Sequence, residues 1–198
     1  MQHLNRNKSL KQQSGASMVE VLVAMLLLTI SALSTANLMT AGRQINIESV
    51  QLGLANQAGF ALAERMRAND AAVTQYYTAE TPVGGNSRQT VNCTSANPCT
   101  AAQIAQSDLK EFERILDGDN RFRTDDNGVV TAAGGLINSR ACIEGPLAGG
   151  AGMYTVAIAW RGSTPQQNPA SHACAAASGL YGDNNEYRRV RVLTFYLN

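Results

Sequence analysis

Glu20 is the residue whose type and position suggest chemistry most directly, because it is a lone carboxylate beside a long apolar stretch. Residues 21–42 contain no Asp, Glu, Lys, Arg or His. As a helix rising about 1.5 Å per residue, this run spans about 33 Å, enough to cross the hydrocarbon core of a membrane. A carboxylate within such a helix costs a few kcal/mol in lipid and usually has a partner. The sequence therefore predicts either an ionic partner for Glu20 or a side chain that reaches the headgroups.

Residues 1–15 favour a leader that is removed on the cytoplasmic side of the membrane. Arg6, Lys8 and Lys11 precede the apolar run without any acidic residue among them, a pattern that keeps this end of the chain in the cytoplasm. A secretory signal peptide has a shorter apolar core, with its small-residue cleavage site after the core. A plain membrane anchor fits the length of the run but gives no reason for Gly15 or Glu20.

Gly15, followed by a Glu at the fifth position after it, resembles the class III leader of type IV pilins. The resemblance implies that a prepilin peptidase cuts between Gly15 and Ala16 and methylates the new amine of Ala16. In a bundle of parallel helices this amine can meet Glu20 of a neighbouring subunit, where the opposite charge favours the ionised carboxylate. Ala16 stands where pilins usually carry Phe or Met, and no Pro lies near Asn37, where major pilins often have one.

A single long helix is predicted over residues 16–69, because no Pro occurs between the apolar run and Pro82. Residues 16–42 would be its transmembrane half and residues 43–69 its amphipathic half. The stripe expected to pack on the protein's own globular domain consists of Ile47, Val50, Leu54, Ala58, Ala61 and Leu62. A second strip of Ile45, Leu52 and Ala63 lies nearly opposite; it either faces neighbouring subunits or is scattered surface.

The closing run of this helix, Ala63-Glu64-Arg65-Met66-Arg67-Ala68-Asn69, carries a second resemblance when taken with the leader. It resembles PilV-type minor pilins, also called type IV pilus modification proteins. This implies a minor pilin whose partners are the major pilin and other minor pilins. It would join the other minor pilins at the tip or in an initiation complex that primes pilus assembly. The protein would cross the inner membrane once with its globular domain in the periplasm, and later reside in the pilus at the cell surface.

Two alternatives to this function remain open. A minor pseudopilin of a type II secretion system would use the same helix, and the closing run at residues 63–69 is what favours the pilus. A tip-displayed binding module, either an adhesin or a DNA-uptake subunit, would require an exposed aromatic or basic patch. The formal charge of +1 and the absence of a dominant basic patch give no reason to expect a nucleic-acid partner.

The cysteines predict two disulfides. All four Cys lie beyond residue 90, and an even number of Cys in an exported domain indicates disulfide bonding. Three pairings are possible, and the expected one is the short-range set of Cys93 with Cys99 and Cys142 with Cys174. Zinc is disfavoured because the first spacing is loose and His172 is the only His after the leader.

The remainder of the chain predicts a connecting region at residues 70–135 and an antiparallel sheet region with a disulfide loop at residues 136–198. The connecting region would be polar loop with one short helix at residues 108–116, for which Asp108 is the expected N-cap. Strands are predicted at residues 136–144, 153–161 and 187–197. In the middle strand Tyr154, Val156, Ile158 and Trp160 share one face. The expected fold is α+β, with the amphipathic half of the helix packed on a small antiparallel sheet. This agrees with the pilin fold that the resemblance implies.

No enzymatic or cofactor site is predicted. The acidic turns at residues 117–120 and 125–128 lack the closing Glu of a calcium loop, and Asp and Asn simply favour turns. The glycine-rich residues 149–152 precede a strand, whereas a phosphate-binding loop opens a helix. His172 has no nucleophile motif near it, so we expect no catalysis. Together with the acidic turns and the glycine-rich residues, this gives no reason to expect a bound metal or cofactor.

Overall fold

The computed structural model describes residues 17–78, 81–85, 87–118, 122–124, 130–132, 134–146, 148–167 and 172–198. The chain divides into two units, with the boundary between Arg43 and Gln44. The elements are helix α1 (Met18–Ala68), a 3₁₀ helix (Asp70–Tyr76), helix α2 (Ala101–Asp117) and strands β1 (Phe122–Thr124), β2 (Val130–Ala132), β3 (Arg140–Glu144), β4 (Gly152–Arg161) and β5 (Arg188–Leu197). A long apolar N-terminal helix and a small antiparallel sheet confirm the predicted α+β class and are consistent with a pilin fold.

The sheet of the second unit contains β3, β4 and β5 in that order, with both pairs antiparallel. In its register Ala157 of β4 lies opposite Cys142 of β3 on one side and opposite Val192 of β5 on the other. Strands β1 and β2 form a separate antiparallel pair. All three strands predicted for the C-terminal region are present. The first starts later than expected, at Arg140, because a turn with Asn138 at φ 51° precedes it.

The core of the second unit lies on one face of β4. Tyr154, Val156, Ile158 and Trp160 are all buried there, as their alternation predicts, together with residues of α1 and α2. The opposite face is covered locally, since Ala157 is buried against the Cys142–Cys174 disulfide. Strand β4 is therefore enclosed on both faces where the disulfide lies.

Helix α2 is longer than the predicted helix and begins earlier. Thr100 is its N-cap: the Thr100 hydroxyl accepts from the Gln103 backbone N–H at 3.3 Å, and Gln103 Oε1 accepts from the Thr100 backbone N–H at 2.9 Å. This reciprocal pair is a capping box, which satisfies two backbone donors at the helix start. The prediction of Asp108 as N-cap is wrong, because Asp108 lies inside α2 and is buried.

Candidate assembly site

The apolar half of α1 is exposed on every side. Each described residue from 17 to 43 is exposed, including the long aliphatic side chains of the run. Among the described residues, α1 is long and apolar enough to cross a membrane, with a mean hydropathy of 2.1 over its most apolar window. A helix that is apolar on all sides needs lipid or other helices around it, because water would leave this surface uncompensated.

The hydroxyl groups in this part of α1 are satisfied within the helix itself. Thr29 donates to the Leu26 carbonyl at 2.8 Å, and Ser31 donates to the Leu27 carbonyl at 2.7 Å. Ser34, Thr35 and Thr40 donate to carbonyls three or four residues earlier in the same way. Each such bond removes a polar donor that would be costly in a hydrocarbon environment. These Ser and Thr side chains are thus compatible with lipid in spite of their hydroxyls.

Glu20 lies in the first turn of α1 and is exposed. Its carboxylate makes no hydrogen bond or ion pair with any of the residues that the structure describes. The first turn is the positive end of the helix dipole, which favours a negative charge there by about 0.3–1 kcal/mol. This gain is smaller than the few kcal/mol that a carboxylate costs in lipid. Glu20 would therefore need a further cation in a membrane. Gly15 and Ala16 lie outside the described residues.

The other half of α1 packs in the core of the second unit through a face rich in small residues. Its buried residues are Gln51, Ala55, Ala58, Gly59, Leu62, Ala63 and Met66. The predicted stripe is wrong by about a quarter of a turn. Ala58 and Leu62 are buried as expected, whereas Ile47 is 49% exposed and Val50 is 64% exposed. Ala63, assigned to the opposite strip, is only 3% exposed.

Gly59 marks the closest approach of α1 to the sheet. A Cβ atom built at Gly59 would lie 2.0 Å from Leu193 Cδ1 of β5 and 3.4 Å from Ile158 Cδ1 of β4. The first distance is far inside van der Waals contact, so the space that a side chain would need is filled by Leu193. Because Gly59 has no side chain, α1 can lie this close to the sheet. The small residues on the buried face of α1 have the same explanation, since larger side chains would hold the helix away from the sheet.

An ion pair attaches the start of this half-helix to β5. Arg189 donates from Nε to Glu48 Oε2 and from Nη2 to Glu48 Oε1, both at 3.1 Å. Ser163 donates to Glu48 Oε1 from its backbone N–H at 2.9 Å and from its hydroxyl at 3.0 Å. Burial by itself would raise the pKa of Glu48, but the Ser163 and Arg189 donors outweigh it and lower the pKa overall. Glu48 therefore stays ionised and holds the helix in one rotational setting.

A second polar cluster attaches the other end of α1 to α2. Asp108 accepts from Arg65 Nη1 at 2.7 Å and from the Tyr76 hydroxyl at 2.6 Å. Asn69 donates to the Tyr76 oxygen at 3.2 Å and to the Ala101 carbonyl at 2.9 Å. Burial and the bond to Asp108 raise the pKa of Tyr76, which keeps the phenol neutral. Sequence reasoning missed this cluster; the Thr100–Gln103 capping box was the signal that would have placed Asp108 inside a helix.

The two disulfides lie outside α1 and hold the loop-rich parts of the second unit. Cys93 is bonded to Cys99 in the segment before α2, and Cys142 of β3 is bonded to Cys174. Among the described residues, no group of three or more His, Cys, Asp or Glu is placed to hold a metal ion. Of the residues that the sequence singles out, Glu20 belongs to the first unit and the four disulfide cysteines belong to the second.

Comparison with known families gives a match that covers part of the chain. Residues 54–110 match the Tt1218-like family, described as type IV pilin Tt1218. This range contains the closing run of α1, the 3₁₀ helix, the small disulfide loop and the first part of α2. The match supports the type IV pilin family and a pilin role, which is structural rather than enzymatic. No curated protein and no solved structure gives a match.

Proposed function

We propose that this chain is a minor pilin of a type IV pilus, incorporated by parallel packing of α1. It would take part in the initiation of pilus assembly and in the tip complex. The observation that carries the proposal is the division of α1. Residues 21–42 are uncharged, mostly apolar and exposed, whereas the second half of the same helix is packed in a folded core. The first half of α1 suits an environment of lipid or other helices, and the second half belongs to a folded domain. The family match at residues 54–110 supports a pilin role.

Assembly would depend on a charge pair between subunits. Prepilin peptidase would cut after Gly15, which exposes the α-amine of Ala16 for methylation. The Glu20 carboxylate makes no hydrogen bond or ion pair with the described part of its own chain, so it is available to the Ala16 amine of an adjacent parallel helix. Pairing would offset the cost of placing both charges in an apolar bundle. Before assembly, the basic residues of the leader would keep the N-terminus in the cytoplasm and the second unit in the periplasm.

The first experiment is mass spectrometry of the mature protein, where the new N-terminus should be the methylated amine of Ala16. The second replaces Glu20 with Gln, which removes the charge and keeps the shape of the side chain. The Glu20→Gln variant should remain in the membrane but be recovered from sheared pili in lower amount. Glu64→Gln is the matched control, because Glu64 is an exposed carboxylate on the same helix. An intact leader, or equal recovery of both variants, would contradict the proposal.

The partners would be the major pilin, other minor pilins and the inner membrane, with prepilin peptidase acting before assembly. Deletion of the gene followed by electron microscopy for surface fibres, with a secretion assay in parallel, separates a pilus from a type II secretion system. Loss of fibres with normal secretion is the expected result. Normal fibres with failed secretion would assign the chain to the pseudopilins instead.

A further inference from the structure

The second unit contains a groove of about 460 Å³. It lies beside the part of α1 with which this unit begins, at residues 44–52. Ile45 and Leu52 of α1 line one side, and Trp160 of β4 with Arg189 of β5 lines the other. Ile45 and Leu52 are seven residues apart, which places them on one helix face two turns apart. Ile45 is 67% exposed and Leu52 is 43% exposed, so this apolar wall has no cover within the described part of the chain.

The groove is held in shape by bonds that leave no unmatched charge in it. Glu48, which also lines it, is bonded to Arg189 and to Ser163, as described above. Arg189 also donates to the Thr164 carbonyl at 2.9 Å. The acid and the base neutralise each other, so a charged occupant would gain little here. An apolar side chain would gain by covering Ile45 and Leu52.

The same helix carries an aliphatic ridge on another of its sides. Ile47 and Val50 are both exposed and lie three residues apart, which makes them neighbours along one edge of the helix. They point away from Ile45 and Leu52 by more than a quarter of a turn. A groove on one side and a ridge on another could form a head-to-tail contact, which joins two different surfaces and builds a ring or an open filament instead of a symmetric dimer.

We propose that the groove receives an aliphatic side chain from the parallel helix of a neighbouring pilin subunit, in the segment just after that subunit's own apolar run. The proposal rests on the function proposed above. Subunits anchored by equivalent apolar helices bring their following segments to similar depths, and Gln44 follows the apolar run of this chain by only two residues. The ridge of Ile47 and Val50 shows the type of surface that such a neighbour would present.

The direct test uses the full chain in cells that assemble pili. A photo-crosslinking benzophenone amino acid is placed at Leu52, in the groove, and at Glu64, an exposed control on the same helix but more than three turns beyond the groove and the ridge. The expected result is a crosslink from position 52 that peptide mapping assigns to another pilin's helix, within the few turns after its apolar run. A crosslink to lipid, to a globular domain or to a protein that is not a pilin would overturn the proposal, as would no crosslink at position 52.

A second variant fills the groove. Ser49→Trp adds a large side chain to the lining of the groove, and Glu64→Trp adds the same side chain far from both the groove and the ridge. Ser49→Trp should lower recovery in sheared pili by roughly tenfold to a hundredfold, the change expected when one buried aliphatic contact is lost. Glu64→Trp should leave recovery near that of the wild type, with equal membrane levels for both. Equal recovery of the two variants overturns the groove alone, whereas a wild-type chain absent from pili overturns the proposed function itself.

Discussion

Replacing Gly59 with Ala should destabilise the second unit even though Ala is the better helix former. In the interior of a helix, Ala is favoured over Gly by about 0.8–1.0 kcal/mol. At Gly59 the added Cβ would lie 2.0 Å from Leu193 Cδ1, and Leu193 is itself buried. The methyl group of Leu193 would have to move, or α1 would have to lift from the sheet.

The magnitude follows from these two opposing effects. Overpacking of a core costs about 1–3 kcal/mol, so subtracting the helix gain leaves a net loss of about 0–2 kcal/mol. Gly53 provides the matched control, because it lies in the same helix, is exposed, and would bring an added Cβ within 4 Å of no other atom. Gly53→Ala should therefore stabilise the protein by up to about 1 kcal/mol. The difference between the two variants, about 1–3 kcal/mol, isolates the clash.

Urea unfolding of the full chain in detergent micelles, with the disulfides intact, measures this difference. Trp160 is the only Trp in the sequence and lies in the same core, so its fluorescence follows the unfolding of the second unit. Adding Leu193→Ala to Gly59→Ala should cost less than the sum of the two single losses, because the shorter side chain leaves room for the new methyl. If Gly59→Ala proves as stable as Gly53→Ala, the close approach of α1 to the sheet is refuted.

Three further predictions use the same unfolding assay. Burial acts to raise the pKa of Glu113, but donors from the Ser87 backbone, Lys110 and the Arg88 backbone lower it overall from 4.5. The ionised Glu113 therefore stabilises the folded state above its unfolded-state pKa, and this stabilisation is lost as the pH falls through its lower folded-state pKa. In the Glu113→Gln variant the free energy of unfolding should fall less steeply below about pH 5 than in the wild type. Replacing both Cys142 and Cys174 with Ala should lower the free energy of unfolding by about 4 kcal/mol, and replacing both Cys93 and Cys99 should lower it by about 2 kcal/mol. The first disulfide closes the longer loop, with a sequence separation of 32 residues against 6. Asp108→Asn removes the charge that faces Arg65 and should lower the free energy of unfolding by about 1–3 kcal/mol. An unchanged urea midpoint would contradict the role of Asp108 in attaching α1 to α2.

Features encoded by a local repeat were predictable from the sequence. The alternation in β4 identified the strand and its core face, because every second side chain must meet the same environment. The apolar run was equally clear, since one segment contains the whole signal. Glu20 stood out against that run for the same reason. In each case the residues that carry the information are neighbours in the chain.

The rotational setting of α1 was not predictable in this way, because its causes lie far away in the sequence. Glu48 and its partner Arg189 are 141 residues apart, and Gly59 meets Leu193. A periodicity argument assigns the core to the bulkiest aliphatic residues, and so favoured Ile47 and Val50. A helix that must approach a sheet closely buries Ala and Gly instead, since larger side chains would hold the two apart. The bulky aliphatic residues are then left on the outside, and in a chain that assembles with others they form the surface available to a neighbour.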